Sequence, residues 1–227
     1  MGAQAVTAET WKELLAAAVR LFDDLHARGF GSPDVILGRG TVLMLRFGHR
    51  LSKDIDIFLH DVHWLSLLTP RLNDVAAAMA VDYVEQANSI KLIMPNGDID
   101  IIAAAAVTDV PPRETIEFMG RTFRLEATEE ILAKKLLYRA ESLKPRDIFD
   151  LVVVGGADPD AAARAIAATS VKNAVVQRRL EQMSPLAADE LARDIFPIGD
   201  FASIVPNMIA KARNLISGDR LLDRSRP

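Results

Sequence analysis

Two aspartates two residues apart, Asp54 and Asp56, alternate with apolar residues in the run Asp54-Ile55-Asp56-Ile57-Phe58. Such alternation reads as a half-buried strand, in which side chains two apart share a face. Both carboxylates then point the same way, while Ile55 and Ile57 enter the core. Carboxylates held that close repel one another unless a cation lies between them, and a hard divalent ion such as Mg²⁺ suits oxygen donors. Upstream, Gly38-Arg39-Gly40-Thr41 follows the apolar run Val35-Ile36-Leu37. A helix starting here offers the backbone N–H groups of Gly40 and Thr41 as a seat for phosphate. A phosphate seat beside metal-binding carboxylates points to phosphoryl or nucleotidyl transfer. The acidic–apolar alternation recurs at Asp98-Ile99-Asp100-Ile101-Ile102. Further on, Lys135 and Arg139 are four apart and share a helical face. Lys134 projects elsewhere and reads as a surface residue.

The order Gly-Thr, short helix, then Ser52-Lys53-Asp54-Ile55-Asp56-Ile57-Phe58 resembles the AbiEii/AbiGii-type toxin family, within the DNA polymerase beta-like nucleotidyltransferase superfamily. A second block is similar to the same family: Glu129-Glu130-Ile131-Leu132-Ala133-Lys134-Lys135-Leu136, then Pro145-Arg146-Asp147-Ile148-Phe149-Asp150-Leu151. Together the blocks run from Val35 to Leu151. The resemblance implies transfer of a nucleoside monophosphate from an NTP to a hydroxyl, with pyrophosphate released. Asp54 and Asp56 would hold two Mg²⁺ ions, with Mn²⁺ as the substitute, and Asp100 would share one of them. Asp98, assigned to the Asn96-Gly97 turn, is left out. Gly40 and Thr41 would seat phosphate, Ser52 would hydrogen-bond it, and Lys135 would balance the leaving pyrophosphate, its substitution by Ala leaving the fold intact. Asp147 joins the site, Asp150 orients Lys135 or Arg146, and Arg139 and Arg146 add phosphate-binding charge. The family usually has two adjacent glycines before the Thr, and Arg39 stands at the first. It either crowds the nucleotide or supplies an extra cation for phosphate. The implied partners are an RNA acceptor, tRNA foremost, and a separately encoded antitoxin.

The elements that position these residues follow from periodicity. Apolar residues at helical spacing from Trp11 to Leu25 predict a helix over residues 7–28, capped by Thr7 or Thr10 and stopped by Gly29. Strands are expected over 81–86, 90–94 and 99–102, with Pro95-Asn96-Gly97-Asp98 turning a hairpin, and residues 115–125 form a strand pair around Gly120. Residues 60–80 read as a helix interrupted near Pro70. Thr128 starts a helix with Glu129 and Glu130 in its first turn, where the macrodipole favours negative charge. Gly155-Gly156, with Asp158-Pro159-Asp160, reads as a linker or tight turn. Helical segments follow at 161–168, 171–183, 185–194 and 201–216, and residues 218–227 read as a frayed tail. The expected architecture is α/β (α+β). A mixed-sheet nucleotidyltransferase core occupies 1–126, and a helical C-terminal domain at 127–227 closes the active-site cleft.

Composition sets the outer bounds. The 227 residues are 50% hydrophobic and 26% charged, ordinary for a globular chain, and no cysteine is present for disulfides or thiolate metal sites. No apolar run approaches the roughly 20 residues needed to span a bilayer, and the first ten residues lack a secretory pattern. The expected location is cytoplasmic. A net charge of −4 argues against an all-over basic surface for nucleic acid but leaves room for a local basic groove. His60 and His63, three apart, are assigned no metal. Two rival readings use the same residues. A small-molecule, antibiotic-modifying nucleotidyltransferase would differ in its acceptor pocket, and a catalytically inactive binding module would have Arg39 as its sign of decay.

Overall fold

A computed structural model of the chain describes residues 9–184 and 186–218. In chain order the elements are α1 (Thr10–Ala27), β1 (Val35–Gly38), α2 (Arg39–Phe47), β2 (Ile55–Leu59), α3 (His63–Leu68), α4 (Asp74–Met79), β3 (Asp82–Gln86), β4 (Ser89–Met94), β5 (Gly97–Ala103), β6 (Glu114–Phe118) and β7 (Arg121–Leu125). Then come α5 (Thr128–Tyr138), α6 (Pro145–Ala157), α7 (Pro159–Ala168), α8 (Asn173–Met183), α9 (Ala188–Ala192) and α10 (Met208–Ser217), with 3₁₀ turns at Ser170–Lys172 and Gly199–Asn207. Two compact units result. The first is Met1–Arg46, Leu51–Ala106 and Pro111–Ala127, and the second is Phe47–Arg50, Val107–Val110 and Thr128–Pro227. Among the described residues no helix is long and apolar enough to cross a membrane.

The first unit is built on a seven-stranded mixed sheet of order β3-β4-β5-β2-β1-β7-β6. Pairs β2·β5 and β1·β7 are parallel, and the others are antiparallel. Strand alternation sorts its side chains. Leu37, Ile57, Ile101 and Ile90 stand opposite one another across β1, β2, β5 and β4, all buried. Helix α1, with Leu14, Leu15, Val19, Phe22 and Leu25 on its buried stripe, packs on β2 and β5. Each such side chain contributes roughly 1.5–3 kcal/mol by leaving water. On the other face Ile36, Phe58 and Ile102 form a row one residue out of phase, with Ala104 against it. The next row along that face is Gly38, Asp56, Asp100 and Lys91. The candidate chemistry is therefore rooted in strands whose opposite face is core.

The second unit is helical. Helix α7 packs on α5 and α6, and α10 on α6 and α8. The Gly155-Gly156 pair, expected to break the chain, lies inside α6. Gly155 has a steric role, because a Cβ there would meet the Leu215 side chain at 2.6 Å, whereas Gly156 has open space around it. Glycine here lets α10 approach, and helix packing overrides the local breaker signal.

Other expectations shift at element ends. Helix α1 starts at Thr10, after Glu9, and Thr7 lies outside the described residues, as do Pro185 and residues 219–227 of the expected tail. Asp98 belongs to strand β5 rather than to the turn, because the hairpin pairs Met94 with Gly97 and leaves Pro95-Asn96 as the loop. The segment from Gly199 to Asn207 is 3₁₀, with Pro206 inside it. Lys134 is buried and bridges Glu130 at 3.3 Å, so it is not a surface residue. Glu130 in turn accepts the N–H groups of Val107 and Thr108, and this buried carboxylate holds that segment against α5.

Candidate active site

The sequence-predicted residues fall into two clusters, each inside one unit. In the first unit, parallel pairing of β2 with β5 sets Asp56 opposite Asp100, and antiparallel pairing of β4 with β5 sets Lys91 opposite Asp100. Lys91 Nζ reaches Asp100 Oδ2 at 2.9 Å and Asp98 Oδ2 at 3.2 Å. Arg39 enters as the first residue of α2, directly after β1. Its Nη1 donates to Asp56 Oδ1 at 2.6 Å and lies 3.9 Å from Asp100 Oδ2. Its guanidinium carbon also stands 5.6 Å from the centre of the Phe58 ring, a cation–π distance.

The backbone under Arg39 is unusual. Arg39 has φ 53°, in the left-handed region, which costs a side-chain-bearing residue roughly 1–2 kcal/mol. Its N–H donates to Glu126 Oε2 at 3.2 Å. Gly38, just before it, has no room for a Cβ, which would collide with Glu126 Oε2 and the Phe58 ring. The two glycines flanking Arg39 thus serve different ends, Gly38 by close approach and Gly40 inside the buried first turn of α2. First-turn N–H groups of a helix have no intrahelical partner, which keeps the Gly40–Thr41 end suited to an anion.

Thr41 and Ser52 are buried and directed at one carbonyl. Thr41 Oγ1 donates to the Asp54 oxygen at 2.5 Å, and Ser52 Oγ lies 3.5 Å from the same atom. Both hydroxyls thereby fix the entry into β2. The carboxylate of Asp54 accepts the Asp98 N–H at 3.2 Å, at the start of the neighbouring strand. The structure therefore brings Asp56 and Asp100 together and sets Asp54 at the strand entry beside Asp98. Among the described residues no three acidic or histidine side chains are gathered to hold a metal ion.

Charge explains the rest of this cluster. Burial raises the Asp100 carboxyl above its ordinary value, and the Asp56 charge adds to that, with Lys91 and Arg39 pulling part of the way back. Burial works against the charge on Arg39, yet Asp56 and Asp100 outweigh it and hold its pKa above the usual arginine value. The same carboxylate pull, from Asp100 and Asp98, outweighs burial at Lys91 and raises it. The pair Asp56–Asp100 is thus a site that demands positive charge. Magnesium is usually held by one or two carboxylates together with substrate phosphates, so two hard oxygen donors on adjacent strands fit such an ion.

The second unit holds the other cluster. Lys135, on α5, is buried, and its Nζ donates to Asp147 Oδ1 at 2.9 Å and to Asp150 Oδ2 at 2.5 Å, both on α6. Arg139, one turn beyond Lys135 and part-exposed, reaches Asp147 at 3.2 Å. Asp150 is fully buried and also accepts from Arg50 Nε at 2.6 Å and Arg50 Nη2 at 2.8 Å. His49 Nε2 lies 2.7 Å from Asp150 Oδ1, and its ring stacks on Phe149 at 5.7 Å between centroids. Burial pushes Asp147 up, but Lys135 and Arg139 prevail and hold it at about 2. Asp150 likewise lies well below the ordinary range despite burial, through Arg50 and Lys135. Asp150 is therefore an acceptor, which puts the proton of His49 on Nε2 and leaves Nδ1, buried, without a hydrogen-bond partner. Arg146 sits half-buried in the first turn of α6.

Four participants escape a reading of the sequence. Lys91 had a usable signal, since the hairpin register that pairs Met94 with Gly97 also pairs Lys91 with Asp100. Glu126, His49 and Arg50 had none, because each meets its partner across a long sequence separation. In the sequence, Gly48-His49-Arg50 is a polar bend after the apolar segment Val42 to Phe47, with nothing in its residue types to indicate a buried partner.

The chain matches the family model described as nucleotidyl transferase AbiEii toxin, type IV toxin–antitoxin system, over residues 20–217. No curated protein matches it.

Proposed function

The chain belongs to the AbiEii family of nucleotidyl transferase toxins of type IV toxin–antitoxin systems, and from that premise we propose that it moves a nucleoside monophosphate from an NTP to an RNA hydroxyl. Transfer RNA is the acceptor class we assign. Membership implies a cognate antitoxin as partner. The observation that supports the reading most is the in-register pair Asp56–Asp100, two carboxylates on adjacent strands that require a cation. In this reading Asp56 and Asp100 hold Mg²⁺, or Mn²⁺ in its place. Asp54, at the entry to β2, accepts the Asp98 N–H and ties the starts of β2 and β5 together. When bound, the ion neutralises phosphoryl oxygens and eases loss of the acceptor proton.

The chain's own residues do the positioning. The N–H groups of Gly40 and Thr41 bind phosphate. Thr41 and Ser52 fix the backbone of Asp54 and hence the direction of Asp56. Lys91 holds Asp100 on its strand. In the second unit, the charges of Lys135, Asp147 and Asp150 are matched to one another, and we assign them a positioning role there. Arg139 and Arg146, both partly exposed, are the cations of that unit suited to phosphate.

Incubation of the protein with each labelled NTP, Mg²⁺ and total RNA tests the reading. Label should enter RNA from at least one NTP. It should vanish with Asp56→Asn and with Asp100→Asn in protein that stays folded by circular dichroism, since relief of carboxylate repulsion offsets part of the lost pairing with Arg39 or Lys91. Label found only on a small-molecule hydroxyl would refute the RNA acceptor. Label undiminished in both variants would refute the carboxylate pair.

A further inference from the structure

Arg39 combines features that a plain surface salt bridge does not need. It is the residue immediately before Gly40-Thr41, it carries a left-handed backbone at φ 53°, and its N–H is tied to Glu126. Its Nη1 stands against Asp56 at 2.6 Å and within 3.9 Å of Asp100. An ion held by Asp56 and Asp100 would have to take Asp56 Oδ1 from the guanidinium, so the two compete for that carboxylate. The side chain is 26% exposed, which leaves it a way out, and its root lies next to the assigned phosphate seat. A triphosphate at Gly40-Thr41 offers the guanidinium bidentate oxygen acceptors a short swing away.

We propose that Arg39 is the resident cation of the Asp56–Asp100 pair and makes ion binding conditional on nucleotide. Without nucleotide the guanidinium on Asp56, beside Lys91 on Asp100, completes the charge balance of the pair and keeps a free divalent ion out. A bound triphosphate draws the guanidinium onto its phosphates and frees Asp56, while Lys91 stays on Asp100. Ion and nucleotide therefore bind with positive coupling, and Arg39 sets its size. The proposal rests on the nucleotidyl transfer reading for the identity of the phosphate ligand, while the contest for the carboxylates stands on the geometry alone.

Titration with Mn²⁺, read by the electron paramagnetic resonance of the free ion, tests this with and without a non-hydrolysable NTP analogue. Arg39→Gln should bind Mn²⁺ alone at least about tenfold more tightly than the unaltered chain, because a competing charge is gone. The analogue should tighten Mn²⁺ binding by a factor about tenfold larger in the unaltered chain than in the variant. Asp100→Asn added to Arg39→Gln should abolish the gain, which locates it at the pair. Arg39→Gly, which suits the left-handed backbone, serves if Arg39→Gln fails to fold, with the same expected gain. Equal Mn²⁺ affinity in the unaltered chain and a folded variant overturns the proposal. Failure of every folded form to bind Mn²⁺ overturns it together with the ion site of the transfer reading. The expected Mn²⁺ results without any labelled RNA would uphold the proposal and refute the acceptor assignment alone.

Discussion

Replacing Asp150 by Asn keeps the side-chain shape and removes one charge from the centre of the second unit. Asp150 is fully buried and receives four contacts, two from Arg50, one from Lys135 and one from His49, at 2.5–2.8 Å. Arg50 and Lys135 are themselves buried. After the substitution Lys135 still has Asp147, but Arg50 loses the carboxylate that matches its charge. Removing one partner of a buried ion pair costs about 3–5 kcal/mol, mostly from the charge left behind. Asn keeps one acceptor oxygen, so the lower end, about 3 kcal/mol, is expected. For a chain of this size each kcal/mol moves the melting temperature by about 2–4 °C, which gives a drop of roughly 10 °C. Circular dichroism melting at pH 7 reads it directly. The exposed pair Arg213–Glu181, at 3.3 Å, supplies the control, since Glu181→Gln should change stability by less than about 1 kcal/mol. An Asp150→Asn melting temperature within about 2 °C of the parent would refute the claim that this network is buried and charge-matched.

Further outcomes follow from the same structure. Lys135→Ala should destabilise by about 3 kcal/mol as well, because Asp147 and Asp150 lose a shared cation; an unchanged urea midpoint would restore the expectation that its removal leaves the fold intact. Asp147, held at about 2 against an ordinary 3.8, contributes about 2 kcal/mol above pH 4 that is lost as pH falls through 2. A denaturant midpoint that stays constant from pH 5 to pH 2 would contradict this. Gly38→Ala should cost about 1–3 kcal/mol by forcing Glu126 and Phe58 apart. Gly156→Ala, with open space around the added Cβ, should gain about 0.4–1 kcal/mol. Equal melting temperatures for these two variants would show that the end of β1 at Gly38 is packed more loosely than described.

Much of the frame was legible because it depends on local pattern. Period-two alternation at Asp54–Phe58 and Asp98–Ile102 placed Asp56 and Asp100 on strands, with Asp54 just before β2, and the i, i+3, i+4 stripe from Trp11 to Leu25 placed α1. The second block of the family resemblance pointed to Lys135, Asp147 and Asp150, and α5 and α6 do bring these three together. Gly155-Gly156 misled because a breaker signal is local, whereas Leu215, whose side chain leaves no room for a Cβ at Gly155, comes from 60 residues further on.

Charge pairing was decided only by the tertiary structure. Whether Lys134 faces water or Glu130, whether His49 and Arg50 form a bend or seal a buried carboxylate, and where the Arg39 guanidinium rests are not encoded in residue type or spacing. Arg39 illustrates the point most sharply. Its identity left two readings open, crowding or an extra phosphate cation, and neither placed it against Asp56. That placement needs β1 and β2 paired so that Gly38 faces Asp56, and Phe58 beneath to support the guanidinium. Sequence fixes which groups can carry charge; only the fold sets the separation and burial on which the strength of that charge depends.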